Sequence, residues 1–154
     1  MRCGARLTVG PGEQATTSST SVTTVTSLEE AVKMTVVKRL DGIKNRDGET
    51  IRSQVDTEKY TKFDDWSPFR RQRAEEALKN EADALKVLTS YDYEVKDFKV
   101  DVMDGTALAT FQLHYKGHIR NKHFDVEARV TTLLKGQGLE WKIVHEHYSR
   151  FPGY

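Results

Sequence analysis

The chain has little that would staple it, anchor it in a membrane or load it with a cofactor. Its 154 residues include one cysteine, Cys3. That excludes an internal disulfide and a cysteine-held zinc, and its place near the terminus argues against a catalytic thiol. No apolar run approaches the roughly 20 residues that span a bilayer, and the first residues lack the apolar stretch of a secretory leader. Charge of one sign is missing too. With 24 Lys and Arg against 23 Asp and Glu, the net charge is +1, which offers no broad attraction to nucleic acid or to an anionic membrane. The run Arg70-Arg71-Gln72-Arg73 reads as a solvated helix start. A Gly-rich phosphate loop, a GxSxG elbow and an HExxH pair are all absent. These absences predict a cytoplasmic protein with no nucleic-acid partner, no membrane and no cofactor.

What is present reads as one domain behind an arm. Ten of the twelve residues from Thr16 to Ser27 are Ser or Thr, after Gly10-Pro11-Gly12. Such a composition buries too little apolar area to offset ordering entropy, so residues 1–26 are expected as a flexible arm and 27–154 as the domain. Ser27-Leu28-Glu29-Glu30 has the pattern of a capping box, opening a helix whose stripe is Leu28, Val32, Val36, Leu40 and Ile43. Asp47-Gly48 ends it, and Ile51 with Val55 supports a short second helix near Glu49 to Thr57. Tyr60 to Trp66 reads as a short strand. Ser67-Pro68 then predicts the start of a third helix, running to about Leu88.

From Tyr91 the period changes from helical to two. Four strands are expected, Tyr93 to Met103, Thr106 to Arg120, Lys122 to Lys135 and Leu139 to Phe151, with turns at Asp104-Gly105, Arg120-Asn121 and Gly136-Gln137-Gly138. The class is therefore α+β, a curled antiparallel sheet packed on three helices, with a conical space that suits a ligand.

Strict alternation in the last strand puts Trp141, Ile143, His145, His147 and Ser149 on one face. This predicts a strand that leaves the core and lines a polar cavity. His145 and His147 have a spacing seen in metal sites, but no third ligand is placed beside them, so no metal is expected. The histidines then serve either as braced structural groups or as a general base. Arg129 shares a strand face with Glu127, Thr131 and Leu133. It either pairs with Glu127, Asp64 or Asp65, or binds a carboxylate beside the histidines. Tyr60, Phe63 and Trp66 come from the segment crossing the cone's mouth. Asp65 is either an exposed charge at the third helix or an acid of raised pKa in an apolar cavity.

The helix order, the meander, Glu127-Ala128-Arg129-Val130 and the spacing of Trp141, Val144, His145, His147 and Ser149 resemble the nuclear transport factor 2-like superfamily. Within it the likeness is to the SnoaL-like branch, and also to the association domain of calcium/calmodulin-dependent protein kinase. The resemblance implies a cone-shaped, cystatin-like barrel. It also implies homodimers through an outer sheet face, here Val144, Tyr148, Val126, Ala128 and Val130. By the family pattern Arg129 and the final-strand histidines line the pocket. The reading is a small-molecule-binding protein whose ligand carries a carboxylate or an enolisable carbonyl. It would act as a cofactor-free isomerase, cyclase or dehydratase, with Asp65 or His145 as catalytic base and Arg129, His147, Tyr60 and Trp66 as ligand contacts. The alternative is a non-catalytic binding or oligomerisation module.

Overall fold

The computed structural model describes residues 16–153, with side chains from Ser27 onward. Helix α1 spans Thr16–Lys44. It buries Val32, Val36 and Leu40 almost completely, as the stripe predicts. Ser27 lies inside α1 rather than at its cap. Helical backbone continues upstream because Ser and Thr each lose only about 0.5 kcal/mol against Ala, and extending an existing helix needs no new nucleus. Of the expected arm, residues 1–15 lie outside the described residues. Helix α2, Gly48–Ser53, is capped by the Asp47 side chain, which accepts from the Thr50 amide at 3.1 Å.

Strand β1, Thr61–Phe63, is followed by β2, Gln72–Arg73, and only then by helix α3, Ala74–Val87. The helix expected to be capped by Ser67 thus starts six residues later, with Arg73 at its N-cap. Gln72 and Arg73 instead pair with Lys62 and Thr61 in an antiparallel ladder. The Gln72 side chain is buried and accepts from Asn80 at 2.9 Å, so these residues are satisfied by sheet rather than by helix. Four long strands complete the chain: β3 Leu88–Met103, β4 Thr106–Ile119, β5 Lys122–Gln137 and β6 Glu140–Arg150. The first two hairpins turn where expected. Asp104, Gly105, Arg120 and Asn121 all have positive φ, as a two-residue turn matched to strand twist requires.

The strand order is β2-β1-β6-β5-β4-β3, a curled, unclosed sheet against three helices. Its concave face carries Ala107, Ala109, Phe111, Leu113 and Tyr115 from β4 and Val126, Ala128, Val130 and Leu134 from β5. The expected dimer surface is therefore wrong at four of its five residues, Val144 alone being half-buried. Val126, Ala128 and Val130 are core, and so is Tyr148.

The decisive irregularity is in β6. Leu134 pairs with Ile143, but Leu133 pairs with His145, so Val144 is an extra residue. It sits where the outer neighbour of β6 changes. Ile143 bonds to the 54–56 segment, whereas His145 to His147 pair in parallel with Thr61 to Phe63. One inserted residue reverses every side chain beyond it. Trp141 and Ile143 point into the cone, then Glu146 and Tyr148 do, while His145 and His147 turn outward. Among the described residues no helix is long and apolar enough to cross a membrane.

Candidate functional site

Arg39 stands on the buried face of α1, one turn from Leu40's neighbours Val36 and Ile43, and is 1% exposed. Its Nε donates to Glu146 at 2.6 Å, and its two terminal nitrogens donate to Glu81 of α3 at 2.9 and 2.7 Å. Tyr60 and Tyr148 also donate to Glu146, at 2.5 and 3.1 Å. Burial pushes the Glu146 carboxyl up, but Arg39 and Lys62 outweigh it and hold it below the usual range. Lys62 itself pairs with Asp64 at 3.2 Å and lies 3.9 Å from Glu81. An Arg buried with too few acceptors would be costly; here the guanidinium is met on both edges.

A second cluster lies toward the mouth of the cone. The Tyr115 hydroxyl donates to Asp65 at 2.5 Å and accepts from the Trp66 indole at 2.8 Å. Arg150 stacks 4.6 Å from the Trp66 ring and approaches Asp65 to 3.6 Å, an ion-pair contact that leaves its Nε without a hydrogen bond among the described residues. Burial pushes the Asp65 carboxyl up to about 6, against the hydrogen bond from Tyr115, and Asp64 next to it adds to the rise. Asp64 goes the other way. Burial opposes its charge, but Lys62 holds it below the ordinary carboxylate value. The Tyr115 phenol is raised by burial and by Asp65.

Between α3 and the concave sheet is an open cavity of about 280 Å³. Trp66, Tyr91, Tyr115 and Phe124 form its aromatic wall, and Asp64 and Glu81 are its charged residues. Asp65 lies directly behind Tyr115 and Trp66. Of the residues expected at the site, Trp66 reaches the cavity, Asp65 backs it, and Tyr60 is sequestered in the Arg39 network.

Arg129, His145 and His147 are not at the cavity. Arg129 is on the convex face, bonded to Ser149 at 3.2 Å and lying over Phe151. His145 and His147 are also outside, against the Phe63 ring at 5.7 and 5.4 Å. Burial and then His147 lower the His145 pKa. Among the described residues no group of three His, Cys, Asp or Glu is placed to hold a metal.

The alternation in β4 that buries Phe111 and Leu113 also turns Tyr115 inward, so Tyr115 was within reach of the pattern. Arg39 carried a signal as well, since it falls within the apolar stripe of α1. Glu146 carried none, because its face depends on the extra residue.

A family model for the SnoaL-like domain matches residues 32–154. No curated protein sequence matches the chain significantly. Solved structures do resemble it. A candidate dehydratase of the nuclear transport factor 2-like family from Streptomyces avermitilis is 17% identical, with a TM-score of 0.72 over 82% of this chain and 97% of that one. The CaMKII hub of S. rosetta is 16% identical, with a TM-score of 0.63 over 79% and 95%. A candidate ketosteroid isomerase from Shewanella frigidimarina is 21% identical, with a TM-score of 0.60 over 77% and 94%.

Proposed function

The chain belongs to the SnoaL-like domain family, and we propose that it binds a small organic molecule in the aromatic cavity and handles a proton there through Asp65 and Tyr115. The observation that carries this reading is the hydrogen-bond chain from Trp66 through Tyr115 to Asp65 at the cavity, beside an acid, Asp64, tuned the other way. Asp65 is raised to about 6 and Asp64 is held ionised by Lys62. Environments that drive neighbouring carboxyls apart separate an acid from a base.

Tyr115 links the acid to the ligand. Its oxygen has one proton to give and two lone pairs, one already used by Trp66. With Asp65 ionised, the phenol proton is committed to Asp65. With Asp65 protonated, that carboxyl donates to the phenol oxygen, and the Tyr115 proton turns to a ligand carbonyl in the cavity. Asp64 then accepts the proton released beside that carbonyl. This is enolisation without a cofactor, the step common to an isomerase, a cyclase or a dehydratase.

The test is deuterium exchange. Wild type in D₂O should accelerate exchange at the α-carbon of an enolisable cyclic ketone, followed by NMR. Tyr115→Phe and Asp65→Asn should each lose about 100-fold or more. Exchange at the wild-type rate in both variants would remove the reading.

One observation favours a non-catalytic module instead. Arg39, a buried cation paired with the cavity residue Glu81, is saturated by Glu81 and Glu146, which suits bracing rather than chemistry. Ligand-induced stabilisation without any exchange would select this second reading. For either reading we place a homodimer contact on the convex face around Leu108, Leu133 and Phe63, half-buried apolar residues on β4, β5 and β1. A single monomeric species in sedimentation at micromolar concentration would exclude it.

A further inference from the structure

The proposed cavity carries charge of one sign on its walls. Its lining includes two carboxylates, Asp64 and Glu81, and no Lys, Arg or His. Behind that wall, Arg39 and Lys62 neutralise them only in part, because Glu146 shares Arg39. With the Asp65–Arg150 pair included, four carboxylates meet three cations, and with all four acids ionised one negative charge is left over. An ordinary anionic ligand would enter against that field. The arginine that the sequence offered for an anion, Arg129, is on the far side of the sheet.

The remaining wall is suited to a positive charge. Tyr91 and Tyr115 have ring centroids 5.9 Å apart, Tyr115 and Phe124 5.9 Å, Tyr91 and Phe124 6.4 Å, and Trp66 and Phe124 5.9 Å. Aromatic faces carry negative quadrupole density and attract a cation within about 6 Å of the centroid, more strongly when both are out of water. The Trp66 ring already does so for the Arg150 guanidinium. Tyr91 adds a polar group. Its hydroxyl has no hydrogen-bond partner among the described residues. Burial, then Glu81 and Asp65, favour its protonated form, so it remains a donor.

We propose that the cavity selects a small organic cation, a protonated amine or quaternary ammonium, seated on Tyr91, Tyr115 and Phe124 with its charge toward Asp64 and Glu81. This names the ligand class of the site and rests on the reading that the cavity is a ligand site. The Tyr91 hydroxyl serves an acceptor elsewhere on the same molecule.

A charge series of one shape tests it: choline, its neutral carbon isostere 3,3-dimethylbutan-1-ol, and the anion 3,3-dimethylbutanoate. Binding is read by amide shift perturbation in NMR titrations of the full chain. Choline should perturb cavity residues and bind about tenfold more tightly than the neutral isostere, and the anion should bind most weakly. Asp64→Asn should reduce the ratio of choline to neutral-alcohol affinity several-fold, since it removes a charge and keeps the shape of a half-buried side chain. Equal binding of alcohol and choline, or tighter binding of the anion, would overturn the cation inference and leave the cavity reading standing. Perturbation of cavity residues by none of the three would overturn both.

Discussion

Asp64 and Asp65 are adjacent in the chain, yet their surroundings drive them in opposite directions, and that difference should be measurable as stability. The Asp65 carboxyl rises from 3.8 to about 6 on folding. Between those values the folded state holds a proton that the unfolded state has released. Its contribution is therefore present at the acidic end of the window and is lost as the pH climbs to about 6, by about 3 kcal/mol in all. Urea unfolding of wild type and Asp65→Asn should show their difference shifting by about that amount in the variant's favour from pH 4 to pH 7. A pH-independent difference would mean that Asp65 titrates normally. A second residue-scale outcome concerns Gly117, where an added Cβ would stand 2.0 Å from the Ser90 carbonyl and 2.8 Å from the Phe124 ring. Gly117→Ala should cost about 2–3 kcal/mol in the same assay, and it should disturb the aromatic wall through Phe124.

At the scale of elements, β6 decides which chemistry faces the cone. Its alternation is legible from Glu140 to Ile143 and misleading after that, because Val144 is accommodated as a bulge where the neighbouring strand changes. Periodicity counts residues and cannot register a residue that the partner strand does not match. Ala substitution at His145 and His147 together should therefore change stability by no more than about 0.5 kcal/mol and leave ligand binding in the cavity intact. Glu146→Ala should destabilise by about 3 kcal/mol or more, since it leaves Arg39 buried and half-paired. Chemical denaturation of both variants separates the two faces, and the reverse order of effects would restore the histidines to the interior. The start of α3 departs from its local signal for a related reason. Ser67-Pro68 is a sound local start signal, but Gln72 and Arg73 found sheet partners in β1, and a ladder satisfies the backbone as fully as a helix does.

Over the whole molecule, one guanidinium joins the layers. Arg39 of α1 reaches Glu81 of α3, Glu146 of β6 and Tyr60 beside β1. Arg39→Met should lower stability by about 3–5 kcal/mol, because two carboxylates lose their common cation. Adding Glu146→Gln should recover part of that loss, so the double variant should be less destabilised than the sum of the singles. Full additivity in urea unfolding would show that the contact contributes nothing as a pair.

Legible in the sequence are the α+β class, the three helices, the long meander and two of its turns, because helical and strand periods, Asp-Gly and paired positive-φ residues act over a few neighbouring positions. It also placed Trp66 near the mouth and raised Asp65 as an acid of altered pKa. Which side of β5 and β6 faces the cone is settled by packing between layers. For β6 that choice depends on one residue left unmatched by its hairpin partner β5 and on Arg39 drawing Glu146 inward. For β5, in unbroken register with β4, it depends on Val126, Ala128 and Val130 filling the core. For that reason Arg129, His145 and His147 stand on the convex face, and the cavity belongs to Tyr91, Tyr115, Phe124 and the acids beside them.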